Sequence, residues 1–446
     1  MALEVTTKYG IVSGIYEKGC EVFLGIPFAK PPLGDLSFRH PVEPEPWEGV
    51  YKADHARCNP VQSHHGLGVG NNSQDCLYLN IYKPENASGP LPVMVWIYGG
   101  AYAEGGSGLE QPDGDFICYE GYTYAKETKT ILVTFNYRVN LYGFLNLHAL
   151  SDRFDSHCGF FDQIRALSFV RENIAAFGGD EKNVTVFGQS AGAGSILALM
   201  SMPEADGLFD KAIVQSAPGD FFYNKKESLL YTKAYLRLLG VGASHPEKVL
   251  EVPEKRVERA NHLFAAWVMA HMGDIRCAFS PTIDGVTLTD YPKKACLRKK
   301  IPLLIGVTSE EGTLFMHPVP AFFQPFAAWW CNVFVDKGKE SFYKRLCDKL
   351  TDQIFAGPSR EIAKNWQGPV WQYVYDYVNP THAKTGLGCS HASELSVLFG
   401  SDLLLEGMPA DESHEMGLKM RKIWSEFAYQ STCPWPEGQT YRICED

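Results

Sequence analysis

Apolar residues in this chain fall into two kinds of run: short and nearly continuous, or longer and spaced at three and four. The continuous runs are "PVMVWIYGG" (92–100), "TILVTFNY" (130–137), "NVTVFG" (183–188), "KAIVQSA" (211–217), "IPLLIGVT" (301–308) and "PVWQYVYDY" (369–377). Runs of that length, apolar almost throughout, predict strands covered on both faces, as a parallel sheet requires. A β-rich stretch precedes them. Between them lie helical patterns, clearest in "DQIRALSFVRENIAAF" (162–177). There Ile164, Leu167, Val170, Ile174 and Phe177 share one face, and Gly178-Gly179 stops the helix. The alternation predicts an α/β fold, a mostly parallel sheet flanked by helices and joined by right-handed crossovers. Two mainly helical stretches, 220–275 and 317–365, break the alternation and bracket "IPLLIGVT". They predict helical cap insertions over the carboxyl edge of the sheet, where open α/β sheets place their ligands. With no internal repeat and no Pro/Ser-rich hinge, residues 1–446 read as a single domain.

Composition then removes whole classes of function. The balance of 41 Lys and Arg against 52 Asp and Glu leaves a net charge of −11, which argues against a nucleic-acid partner and against docking on anionic lipid. The one basic run, "KKACLRKK" (293–300), reads as a solvated loop. No apolar run approaches the length of a membrane span. "MALEVTTKYG" lacks the layout of a secretory signal, and "YRICED" carries no retrieval or lipidation signal. The 12 cysteines are scattered without a CxxC pair, as expected of reduced, partly buried thiols in a cytoplasmic protein. Neither they nor His64-His65, in a polar Gly-rich loop, suggest a metal. No cofactor is expected.

Candidate chemistry centres on "NVTVFGQSAGAGS" (183–195). Gly188-Gln189-Ser190-Ala191-Gly192 is a G-x-S-x-G pattern, which a sharp strand-to-helix turn needs if it is to project a serine hydroxyl. Alone the pattern is weak in a chain with 41 glycines, and a buried or capping serine is the alternative. A strand before it and a run of small residues after it supply the context a nucleophile needs. "WIYGGAYAEGGSG" (96–108) ends another strand with glycines that free backbone N–H groups to point into a site. It lacks the spacing of a phosphate loop; a plain turn is the other reading.

These and further stretches resemble the type-B carboxylesterases of the α/β-hydrolase superfamily, which also holds cholinesterases and bacterial para-nitrobenzyl esterases; in character the chain is nearest the last. The matching stretches include "FLGIPFAKPPLGDLSF" (23–38), "SQDCLYLNIYKP" (73–84), "NYRVNLYGFL" (136–145), "PLLIGVTSEEGTLF" (302–315) and "SHASELSVLFG" (390–400). The resemblance implies a serine esterase acting through an acyl-enzyme, with a catalytic triad of Ser190, Glu311 and His391. It implies an oxyanion hole from the N–H groups of Gly100, Ala101 and Ala191, with Gln189, Ser216 and Glu394 in support; Ser216 and Glu394 also read as plain structural hydrogen-bonders. Glu310, beside the acid, reads as an exposed loop charge. The implied partner is a small-molecule ester, and the chain is expected to be a monomer or homodimer.

Departures from the family pattern sharpen the substrate. Gln189 stands where most relatives carry Glu, so one negative charge is missing beside the nucleophile. Between Cys58 and Cys76, cysteines that match a disulfide of secreted relatives, the cholinesterases carry a Trp for quaternary ammonium; "NPVQSHHGLGVGNNSQD" has no aromatic residue. Both departures favour neutral, fairly apolar esters. The aromatic run "PAFFQPFAAWWC" (320–331) reads as pocket wall or as cap core. The rivals are an esterase specialised for one ester and a catalytically silent binding protein, the latter disfavoured by the intact Ser, Glu and His.

Overall fold

A computed structural model of the chain describes residues 3–62, 71–107, 119–272, 277–316, 342–400 and 413–444. Its main sheet has twelve strands. They are β1 (Leu3–Thr7), β2 (Gly10–Glu17), β3 (Cys20–Pro27), β4 (Val50–Lys52), β5 (Tyr78–Pro84), β6 (Leu91–Ile97), β7 (Ile131–Phe135), β8 (Gly179–Gln189), β9 (Lys211–Gln215), β10 (Leu303–Thr308), β11 (Val370–Tyr375) and β12 (Thr440–Ile443). Spatially they run β1-β2-β3-β5-β7-β6-β8-β9-β10-β11-β12, with β4 beside β2. Pairing is antiparallel from β1 to β7 and parallel from β7 through β12. Every residue of β6, β7, β9 and β10 is buried, which is why these runs carry almost no polar residue.

All six strand runs read from the sequence are strands. The longest differs in extent: β8 begins at Gly179, four residues before Asn183, and its register against β6 shifts between Gly179 and Val184. The helix expected over 162–177 starts earlier, at Cys158. This α1 (Cys158–Asn173) passes into a 3₁₀ turn, Ile174–Phe177, and Gly178 ends it at φ +85°. A left-handed residue there suits glycine and turns the chain into β8. The stretch 220–275 forms two long helices, α3 (Lys225–Leu238) and α4 (Glu254–Met272), after α2 (Ala191–Ser201). Within 317–365 the structure holds α5 (Phe342–Leu350), a π-helical stretch Thr351–Ala356 and α6 (Gly357–Asn365). The aromatic run 320–331 and His64-His65 lie outside the described residues.

The basic run is not a loop. Pro292–Ala295 is a helical turn continued by a 3₁₀ turn, and three of its five basic residues are paired. Lys293 meets Asp220 and Glu361, while Arg298 and Lys299 converge on Asp206. Pro292 at the first helical position and Cys296, fully buried, pin this turn to the body of the protein. Cys58 and Cys76 carry free thiols, as do the other described cysteines. Among the described residues no helix is long and apolar enough to cross a membrane.

Candidate active site

Five parallel strands end on the same edge of the sheet, and each leads to one piece of the site, four of them within a few residues of the strand's carboxyl end. β6 leads into Gly99-Gly100-Ala101, β8 into Ser190, β9 into Ser216, β10 into Glu311. β11 leads through a longer loop to His391, which sits just ahead of α7 (Ser393–Phe399).

Ser190 occupies the junction of β8 and α2 at φ +56° and ψ −124°, outside the ordinary regions for a residue with a side chain. Its N–H donates to Gln215 O at 2.9 Å and its carbonyl accepts from Gly194 N at 2.9 Å, so the strained backbone is tied at both ends. The two glycines of the motif are there for want of space. A Cβ on Gly192 would lie 2.0 Å from Ile97 O, and one on Gly188 2.6 Å from the same oxygen. Gly99 approaches from the β6 side: its own Cβ would stand 3.1 Å from Ser190 Cβ.

Gly100 and Ala101 both have left-handed backbones, φ +110° and +58°. Ala191 is the first residue of α2, so its N–H has no acceptor within the helix. Among the described residues none of the three N–H groups has a partner. They are donors without acceptors beside the Ser190 turn.

Glu311 is fully buried. Its Oε1 accepts from Thr308 N at 2.7 Å and from Ser216 Oγ at 2.5 Å, and its Oε2 contacts His391 Nδ1. These donors fix the carboxylate, and the carboxylate fixes the imidazole with its Nδ1 proton facing inward and Nε2 as acceptor. His391 is itself 4% exposed. Phe355 and Phe315 pack near its ring, with centroids at 4.6 and 5.3 Å. Gln189, buried, places its side-chain nitrogen 3.1 Å from His391 Nε2 and 3.5 Å from Nδ1. A nitrogen that close to both ring nitrogens lies over the face of the imidazole and leaves the in-plane lone pair of Nε2 clear. Ser190 Oγ has no hydrogen-bond partner among the described residues.

Glu394, at the start of α7, is 1% exposed. Gln215 Nε2 donates to its Oε1 at 3.3 Å, and Oε2 has no partner among the described residues. Burial, then the neighbouring Glu311, push its carboxyl up to about 8. Gln215 is a link that the sequence did not disclose. Its carbonyl holds the Ser190 N–H, and its side chain holds Glu394 and accepts from Trp424 Nε1 at 3.2 Å. Only its place immediately before Ser216, at the end of a buried strand, could have pointed to it. Phe355 had no local signal either, since its approach to His391 is made by tertiary packing.

One expectation is overturned. Glu310 is not an exposed loop charge: it is half-buried, and its carboxylate accepts from Cys389 N at 2.9 Å. The loop that carries His391 folds back over the Glu311 turn and covers it.

The sequence profile described as the carboxylesterase family matches residues 1–325 and 326–440. The chain is 35% identical over 450 residues to the para-nitrobenzyl esterase of Bacillus subtilis (strain 168), covering 95% of this chain and 89% of that protein. It is 32% identical to gut esterase 1 of Caenorhabditis briggsae, over 90% of this chain and 80% of that one. Among solved structures, a PNB esterase superposes with a TM-score of 0.85 at 32% identity, over 100% of this chain and 96% of the other. A Geobacillus stearothermophilus carboxylesterase does so with a TM-score of 0.82 at 28% identity, over 99% and 96%.

Proposed function

The chain belongs to the carboxylesterase family and is a serine carboxylic-ester hydrolase of α/β-hydrolase fold; we propose that Ser190 is its nucleophile, His391 its base and Glu311 the acid that orients the base. The observation that carries this reading is the buried Glu311–His391 pair set against Gln189, the residue directly before Ser190. His391 takes the hydroxyl proton as Oγ attacks the ester carbonyl, and Glu311 stabilises the imidazolium that forms. The N–H groups of Gly100, Ala101 and Ala191 receive the oxyanion, each worth roughly 2.7–4 kcal/mol where such donors have been removed. The alcohol leaves with the proton from His391, and water then releases the acyl group by the same route.

The substrates are neutral, fairly apolar esters. The surroundings of His391 support this: an uncharged amide on one side and the rings of Phe315 and Phe355 beside it. Phe355 continues into a small apolar cluster with Phe221, Val307 and Ile354. A cationic alcohol finds no carboxylate at position 189 to favour it. A panel of p-nitrophenyl acetate, butyrate and octanoate assayed beside acetylthiocholine tests the assignment. Neutral esters turn over with the higher kcat/KM; a preference for the choline ester contradicts the proposal.

A further inference from the structure

Residues 309–313 and 387–391 are stitched together more tightly than the Glu311–His391 contact alone requires. Glu310 N–H donates to Cys389 O at 3.0 Å, and Cys389 N–H donates back to the Glu310 carboxylate at 2.9 Å. Three residues on, Thr313 Oγ1 lies 2.8 Å from Leu387 O and 2.7 Å from Glu310 O. One residue earlier, Ser309 N–H donates to Tyr375 O at 2.8 Å, tying the turn to the end of β11. Between Leu387 and Cys389 stands Gly388, at φ +63°, where an added Cβ would lie 2.0 Å from Glu310 Oε2. The carboxylate fills the space a side chain would take. Neither neighbouring carboxylate does the other's work: Glu311 points inward at the imidazole, whereas Glu310 runs along the surface of the His391 loop and grips its backbone two residues before the histidine.

We infer that Glu310 is a positioning residue, a clasp whose hydrogen bond to the Cys389 N–H holds the His391 loop in register with Glu311. This rests on the reading of Glu311 and His391 as acid and base. β10 and β11 lie side by side, but fifteen residues separate Tyr375 from His391 and they carry only a short helix, Pro380–Thr385. Sheet pairing alone therefore does not fix the imidazole. Misplacement of a reacting group by about 1 Å costs on the order of a hundredfold in rate, so a clasp two residues from the base has leverage on turnover and little on ester binding. What the clasp requires is an acceptor oxygen at that point, not a charge.

The test is kinetic. Glu310→Ala lowers kcat by about ten- to a hundredfold while KM stays within about twofold. Glu310→Gln keeps an acceptor oxygen and restores most of the loss. Gly388→Ala, which drives a methyl into the carboxylate, lowers kcat in the wild-type background and much less in Glu310→Ala. The backbone strain at Gly388 is common to both backgrounds and cancels in the double-mutant cycle. Wild-type kcat in Glu310→Ala overturns the proposal. So does Glu310→Gln as impaired as Glu310→Ala, which would mean that charge is what matters, and so does additivity in the cycle. If Glu310→Ala does not fold, Thr313→Val takes its place, removing only the hydroxyl at Leu387; there an unchanged kcat overturns it. His391→Ala in the same assay checks the underlying reading separately, since turnover that survives it removes the base, whatever the clasp does.

Discussion

At the level of single residues, position 189 sets an uncharged side chain against the proposed base. An amide over the imidazole face contributes shape without a field that would stabilise imidazolium. Gln189→Glu puts a carboxylate in direct contact with the ring. The acid limb of kcat/KM for a neutral ester is then expected to move up by about one pH unit, and turnover of a cationic ester should rise relative to a neutral one. A pH profile that superposes on the wild type would mean that position 189 is uncoupled from the base. The adjoining Ser190 was legible from its own motif and the strand before it, whereas Glu311, His391 and Ser216 were legible only through the family resemblance, because nothing local marks residues that meet through the tertiary fold. Glu310 was misread for the same reason. Next to a functional carboxylate in a polar turn, nothing in its own neighbourhood tells that a loop eighty residues away folds onto it.

Secondary-structure elements explain why the site assembles at all. The strands that lead to Gly99, Ser190, Ser216 and Glu311 are buried, β8 from Val184 onward, so their apolar runs stood out clearly and their ends marked the edge where the chemistry collects. Boundaries were less legible. β8 gains four residues because the turn after α1 feeds directly into the sheet, and the basic run folds into a turn because its charges find Asp206, Asp220 and Glu361 in distant parts of the chain. Packing between elements is close at the start of α2. Gly192→Ala would place a methyl 2.0 Å from Ile97 O, against strand backbone that cannot yield. It is expected to destabilise by about 1–3 kcal/mol and to lower kcat by displacing the Ser190 turn. Urea unfolding with kcat measured on the same preparation checks both; a variant with wild-type stability and rate would mean that α2 and β6 are not so rigidly apposed.

For the molecule as a whole, the buried carboxyl of Glu394 links stability to pH. Its value of about 8 in the fold lies above the ordinary 4.5, so between those two values the folded protein keeps a proton that the unfolded chain releases. Stability therefore falls as pH rises through that window and levels off above it. Glu394→Gln cannot ionise and removes this slope, so urea midpoints of wild type and variant should diverge from pH 5 to pH 8, the variant gaining; parallel curves would contradict the assignment of a neutral Glu394. The same buried network of Gln215, Glu394, Ser216 and Glu311 is what the fold holds behind Ser190, the residue proposed to attack the ester. Mass spectrometry of the protein treated with a fluorophosphonate tests that role most directly. One adduct is expected, on Ser190, formed far more slowly in His391→Ala and absent in Ser190→Ala, with ester turnover lost in step. An adduct on another serine, or undiminished ester hydrolysis in Ser190→Ala, would contradict it.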